Sequence, residues 1–554
     1  MHHTPHPVPA PRASTETPPH GPEGTRVRPA SFAQQRLWFL SQLPGANAAY
    51  NETIAFTLTG PLDADLVSRA LDTLTDRHEA LRTRLVATQG DVRQHIDPPG
   101  AGFTLTREDL TAVEDLDARV AARQLDEAQR PFDLEAGPLG RGRLLATGPE
   151  RHVLLLTFHH SIYDGVSMNV MMDELGQLYE AFGAGASNPL RPLAVQFADH
   201  ACAQREADLG VQEDYWRRAL HDAPPVLELP TDRPRPAEQQ YAGGRAEFTL
   251  DAEVTAGLRG LARRHGATPY VALLTGWAIL LSRLSGQEDI VVGSPFAGRR
   301  GPGAAGLIGF LVNSLPLRID LSGSLTAAEA LTRTRAVVRE ALAHQDLPFE
   351  RIVELVNPPR SASRTPLFQT MLAWQPDRRG LLHLPGVEAE PLPIAHAPAK
   401  FDLALSATES DGCITGHLDY ATALIDPDTA RRWTGHLRQL LTDMVRHPER
   451  EVRALELMDP QERRRVLLDG DAARTGDAGW PGTGVGAGAT ARPDAGARND
   501  PGVRSESGAR SDMAARSGTV AGVGAGARSG SVARSDTAAG SEIIALAGTV
   551  AQPG

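Results

Sequence analysis

Two adjacent histidines, an aspartate and a glycine crowd into one short stretch, FHHSIYDG at 158–165, as His159, His160, Asp164 and Gly165. Imidazole is the side chain whose ordinary pKa lets it take or give a proton near neutral pH, so the cluster suits proton transfer. Residues 153–158 before it are a nearly continuous apolar run, the pattern of a strand buried on both faces. After it, VSMNVMMDELGQLYEAFG sets Val170, Met171, Leu175, Leu178 and Phe182 at helical spacing. Strand, polar turn and helix together place a reactive side chain at the floor of a cleft. Side chains alternate along a strand, so His159 and His160 are expected to point opposite ways if the strand runs through both, one into a cavity and one into packing. Asp164 stands where the helix begins and where carboxylates cap; base and metal ligand are its other readings.

The chain that must position these groups has 554 residues, enough for two or three domains. Its net charge of -12 argues against general nucleic-acid binding. Two cysteines, Cys202 and Cys413, stand far apart with no CxxC or histidine-rich neighbourhood. They suggest neither a disulfide framework nor zinc, and suit a reducing cytoplasm. No run of ~18 apolar residues marks a membrane span, and the N-terminus lacks the basic-then-apolar layout of a signal peptide. Lys400 is the only lysine, so Schiff-base chemistry has a single candidate and is set aside.

Residues 1–28 are rich in Pro, His and Thr and are expected to be a disordered tail. Order is expected from Pro29, with a helix over 31–43 whose Ser31 and Gln34 form a capping box. A strand after it, an amphipathic helix from Asp63, short strands and a further helix lead to the central strand. A long helical pattern covers 195–220, and the Pro-rich stretch 224–240 reads as a linker. A second α/β segment follows, with strands near 245–250 and 289–299 and helices at 252–265, 269–284, 326–344 and 428–444. From Pro481 to the end no aromatic residue occurs and near-repeats such as GARSD and AARSG dominate. Such a composition cannot offset about 1 to 2 kcal/mol of backbone ordering entropy per residue, so 471–554 is expected to be a disordered Ala/Gly/Ser/Arg-rich tail.

Seven stretches match the motifs of one family in order: SFAQQRLWFL from Ser31, RHEALRTRL from Arg77, FHHSIYDG from Phe158, FADHACAQRE from Phe197, IGFLVNSLPLR from Ile308, HQDLPFERIVE from His344 and RSASRTPLFQ from Arg360. By these the chain resembles the condensation domains of non-ribosomal peptide synthetases, over residues 29–470. Other acyltransferases carry HHxxxDG or a shorter form of it; the ordered set is far more specific. The Gln-x-Arg-Leu-Trp core of the first motif resembles the subclass that joins an L donor to an L acceptor. Phe197 and His200 stand where the fourth motif usually has tyrosines. Tyr163 and Val166 stand where a small residue and a tryptophan are common, a difference that bears on the cleft shape.

The resemblance implies an α/β fold of two chloramphenicol-acetyltransferase-like lobes, 29–223 and 241–470, joined by the linker 224–240. The lobes form a V-shaped pseudo-dimer with a central channel. It implies amide formation, in which the amine of an acceptor attacks the thioester of a donor. His160 is the implied catalytic histidine, and the Gly165 N–H an oxyanion donor. His159, Asp164 and Arg299 are structural at the active site, with Asp164 paired to Arg299 across the lobes. Gln369 and Ser167 are assigned to the substrate channel. His78, Arg82, His344 and Asn313 are expected to hold the architecture. No cofactor or metal is bound by the domain itself. Substrates ride on the phosphopantetheine arms of donor and acceptor carrier domains, beside an adenylation domain or synthetase subunit. The domain is expected to be a cytoplasmic monomer that binds neither nucleic acid nor membrane.

The rival readings are epimerisation, disfavoured by the first motif; ester formation with a hydroxyl acceptor; heterocyclisation, which replaces the histidines with an aspartate motif; and a docking domain with a dead site, against which the retained histidines, aspartate and glycine count. Neither adenylation motifs nor a carrier serine motif follow the last matched stretch, so the chain is expected to be one piece of a larger synthetase, with a dispensable tail.

Overall fold

Strand Arg151–His159 lies in the middle of a five-stranded sheet, and its apolar run explains the placement. On one face Leu154, Leu156 and Phe158 are buried in the core formed with helices Ala64–Arg77 and Gly165–Gly183. On the other, Val153 and Leu155 pack with Ala55, Leu110 and Leu145. Each such side chain contributes roughly 1.5–3 kcal/mol by leaving water. The flanking strands Asn51–Thr59 and Gly140–Gly148 are both antiparallel to it, and Thr104–Asp109 runs parallel to the latter at the edge. The structure, a computed structural model, describes residues 24–301, 303–394 and 398–465.

The fifth strand of this sheet comes from the other half of the chain. Glu388–Pro391 pairs antiparallel with Asn51–Thr59 and covers its free edge. Leu382, Leu384 and Val387 on its approach join the N-terminal core. The crossing passes so close to Gly60, at φ 129°, that a Cβ there would collide with the Gly386 carbonyl; only glycine fits. The expected lobe boundaries therefore need correction: 241–470 does not belong to one lobe. The described residues up to Gln461 form one compact unit.

The second large sheet has six strands, in the order Asn313–Asp320, Asp289–Phe296, Thr370–Trp374, Leu403–Ser410, Cys413–Ala421 and Gly243–Leu250. Helix Pro269–Ser285 packs among its layers, buried on nearly every side, as its unbroken apolar sequence requires. Thr268 caps it, Pro269 occupies the first turn, and Gly286 ends it at φ 75°.

Four expectations shift. Arg26–Pro29 is a strand paired with Asp91–Ile96, so the N-terminal tail expected over 1–28 ends too late; residues 1–23 lie outside the described residues. The pattern over 195–220 is two helices, Phe197–Glu206 and Gly210–Ala219. Phe197 packs with Phe310 and Leu311, whereas Trp216 sits in the second core and donates to the His344 carbonyl at 2.9 Å, so the boundary expected at 223 lies earlier. The stretch 224–240 is strapped to the second sheet unit by Leu227, Asp232 and Gln239 backbone bonds and an Arg235–Asp402 ion pair, not a free linker. The tail expected at 471–554 lies outside the described residues.

Candidate active site

The strand stops at His159, and His160–Ile162 form a single 3-10 turn before the helix Gly165–Gly183 begins. The alternation expected to separate the two histidines therefore does not apply through His160; the turn separates them instead. The capping box at the start of helix Phe32–Ser41 matches the spacing of Ser31 and Gln34. Gln34 is fully buried and also donates to the Ser161 carbonyl at 3.1 Å, so the first motif holds the histidine turn.

His160 keeps 18 % of its side chain exposed. Its backbone N–H donates to the Tyr50 carbonyl at 2.8 Å. Nδ1 lies 2.7 Å from the Tyr163 carbonyl, which can only accept, so Nδ1 carries the proton and Nε2 presents a lone pair. The ring packs 4.5 Å from that of Phe310, a residue of the fifth motif. Burial is the main force holding its pKa below the ordinary 6.5; Lys400 adds to it, while Glu52 opposes. The imidazole is thus neutral near pH 7, with Nε2 free to accept a proton.

His159 is fully buried against Phe132, with Nδ1 2.8 Å from Ser161 Oγ and accepting the Ser161 N–H at 3.2 Å. Burial pushes its pKa down to about 3. It holds the turn and is closed off from solvent.

Asp164 has no lone pair left for catalysis. Oδ1 accepts from Ser167 N–H at 2.8 Å and Arg299 Nη2 at 2.7 Å; Oδ2 accepts from Arg299 Nη1 at 2.9 Å, Leu311 N–H at 3.0 Å and Val312 N–H at 3.1 Å. Burial alone would raise its pKa, but Arg299 and Ser167 outweigh that and hold it below the carboxylate range. Arg299 is aimed by Gly298 at φ 63°, where a side chain would strike the Leu311 carbonyl.

Two residues expected in the channel are elsewhere. Ser167 is fully buried; its Oγ lies 2.8 Å from Asp164 Oδ1 and 2.9 Å from the Gly309 carbonyl, and accepts from Arg299 and Gly309 N–H, so it belongs to the Asp164 lock. Gln369 is buried with every polar atom used: Oε1 accepts the Leu227 N–H at 2.8 Å, and Nε2 donates to the carbonyls of Pro225 and Thr365. It ties down the strap at 224–240. Gly165 is exposed at the first position of its helix, where the leading N–H groups have no intrahelical partner. His78, bonded to Glu174 at 2.7 Å, and Asn313, bonded to 345, 347 and 349, are interior braces.

Residues that no motif pointed to lie beside His160 and Gly165. Glu52 Oε1 lies 3.6 Å from His160 Nε2 and 2.7 Å from Lys400 Nζ. Gln375 Oε1 stands across from Gly165. These contacts join positions hundreds of residues apart and leave no local trace in the sequence.

The condensation-domain family profile matches residues 25–467. The chain belongs to the condensation-domain family. It is an acyltransferase of the non-ribosomal peptide synthetase type, and members of this family form amide bonds between carrier-tethered substrates. The condensation domain is 44% identical over 443 residues to malpinin synthetase of Mortierella alpina, covering 79% of this chain and 6% of that protein. Over 460 residues it is 40% identical to phosphinothricin tripeptide synthetase PhsC of Streptomyces viridochromogenes, covering 81% of this chain and 42% of that one. It also resembles the crystal structure of the X-domain from teicoplanin biosynthesis, with TM-score 0.72 and 31% identity over 81% of this chain and 100% of that one. The chain thus spans a small part of the first of these curated relatives. Among the described residues no single helix is long and apolar enough to cross a membrane.

Proposed function

We propose that this condensation domain joins a carrier-tethered acyl or peptidyl donor to the α-amine of a carrier-tethered aminoacyl acceptor, with His160 as the proton acceptor. One observation carries the reading: Nδ1–H of His160 is committed to the Tyr163 carbonyl, leaving a neutral Nε2 toward the cleft. The acceptor nitrogen attacks the thioester carbon, forming a C–N bond and a tetrahedral adduct with an ammonium and an oxyanion. Nε2 takes the ammonium proton, and the Gly165 N–H at the helix start faces the oxyanion. The C–S bond then breaks and the sulfur leaves as thiol, taking up a proton. A free α-amine has a pKa of about 7.7–8.0, so much of it is already neutral and the adduct's proton is the harder problem.

In this reading the two sheet units form a V around a central channel, two phosphopantetheine arms enter from opposite faces, and the partners are donor and acceptor carrier domains within or beside a synthetase that includes an adenylation domain. The domain works as a cytoplasmic monomer on substrates it does not itself carry, in the manufacture of a secondary metabolite such as an antibiotic. Asp164 and Arg299 are structural, as is His159. The test is product formation from two loaded carriers with wild type and His160→Ala; full turnover by the variant removes His160 from the chemistry. A docking role is the second reading, because one structural neighbour is an X-domain resolved in complex with OxyB. Wild-type chain giving no product from any loaded carrier pair, while still binding carriers, would favour it.

A further inference from the structure

Two unprotonated acceptors lie side by side on partly exposed side chains. His160 Nε2 has no hydrogen, and Glu52 Oε1 lies 3.6 Å away, too far for a hydrogen bond between them even if one carried a proton. Both side chains are partly exposed, Glu52 with 39 % and His160 with 18 %. Across from them Lys400 Nζ holds Glu52 at 2.7 Å and lies 5.2 Å from the Tyr50 ring.

The kind of cation is informative. Among the described residues most ion-pair partners of a carboxylate are arginines, and Arg299 shows the consequence: its fork occupies both oxygens of Asp164 and makes that carboxylate inert. Lysine is a point charge and takes one oxygen. The single lysine of the sequence meets Glu52, the carboxylate 3.6 Å from His160 Nε2, so Glu52 keeps its charge and accepting capacity for a further donor.

We propose that Glu52, charge-balanced by Lys400, and His160 form an acceptor subsite selective for a primary amine over a hydroxyl nucleophile. This rests on the reading of His160 given above and adds positioning residues to it. A neutral primary amine has two hydrogens, one for Nε2 and one for the Glu52 carboxylate. A hydroxyl has one, and leaves an acceptor unpaired in a partly buried cleft. Sites built to bond a polar hydrogen discriminate strongly against ligands that lack it. As the adduct's nitrogen gains positive charge, the carboxylate is in place to stabilise it. Lys400 keeps Glu52 ionised, holding its pKa at about 2 against the burial that would raise it, and opposes the pull of Glu52 toward an imidazolium at His160.

The test uses the full chain with histidine ring carbons labelled. The His160 signal is titrated with leucyl-N-acetylcysteamine thioester and with its 2-hydroxy counterpart. In wild type the amine probe is expected to bind at least ~10-fold more tightly. Glu52→Gln turns an acceptor atom into a donor, and Lys400→Arg occupies both Glu52 oxygens; each is expected to bring the ratio to parity or below, with a melting curve like that of wild type. Conservative variants of this kind keep the comparison valid if Glu52→Leu fails to fold. A wild-type ratio in both variants, or an amine probe that never moves the His160 signal, overturns the proposal. The readout needs no turnover, so it stands apart from the His160→Ala assay: loss of the His160 role in catalysis leaves the binding ratio to be decided by itself.

Discussion

Arg299 grips both oxygens of Asp164, at 2.7 and 2.9 Å, and joins the turn after the central strand to the loop after strand Asp289–Phe296. The same Asp164 caps the helix that follows the histidine turn and receives the Leu311 and Val312 N–H groups of the fifth motif. A residue within the HHxxxDG motif thus works as a junction between two parts of the fold, and the histidine beside it inherits its position from that junction.

Breaking the junction should cost stability before it costs chemistry. Asp164→Asn and Arg299→Met are each expected to lower unfolding free energy by about 3 to 5 kcal/mol, because each strands a buried partner. The double variant should lose less than the sum, measured by urea denaturation. Since the folded pKa of Asp164 is depressed, its contribution is present above the ordinary 3.8 and fades as pH falls through the lower folded value. Strict additivity would show that the two do not interact.

His160→Ala should lower amide formation by ~10²–10⁴ while leaving the melting temperature nearly unchanged. In wild type the acid limb of kcat against pH should lie below 6.5, because His160 is held to a lowered pKa by burial and Lys400 despite Glu52, the Tyr163 carbonyl and Asp164, with His159 neutral beside it. Below that limb the imidazole is protonated and cannot accept. An acid limb above 6.5 would contradict the neutral, desolvated ring described here.

His159 should show itself in acid stability. It stays neutral in the fold down to about 3, whereas unfolded chain protonates near 6.5. Its contribution is complete above 6.5 and is lost as pH falls from 6.5 toward 3, since the unfolded state binds the extra proton. Replacing His159 with Gln should flatten that slope; His95, His152, His160 and His200, also depressed, keep the remainder. Denaturation midpoints at stepped pH values measure it, and an unchanged slope would count against a buried neutral His159.

Gln369→Leu separates a channel role from a structural one. The Leu227 N–H would lose its acceptor, at a cost of about 1–3 kcal/mol, and the strap at 224–240 would loosen, seen as faster amide exchange there. KM for both carriers should hold. A raised KM without loss of stability would return Gln369 to the channel.

The sequence by itself determined a good deal here, through patterns that are local. The apolar run 153–158 placed the central strand, the spacing of Ser31 and Gln34 placed a capped helix, and the apolar pattern over 269–284 placed the core helix, because period and caps act within a few residues. The ordered motifs identified the family, and with it pointed to His160 and to the pairing of Asp164 with Arg299. Tertiary structure decided what depends on distant partners. Gln369, at a motif position, and Ser167, two residues past one, carry polar side chains, yet whether such a group faces a channel or a buried backbone group depends on atoms 142 residues away in the chain. Glu388–Pro391 is a strand of the first sheet only because the edge of Asn51–Thr59 is there to receive it. Lys400 looked like an isolated residue of little use until the fold set it 2.7 Å from Glu52, across 348 residues, and so beside the histidine. Local patterns encode which elements form; contact between far positions is fixed only when the packed cores bring those elements together.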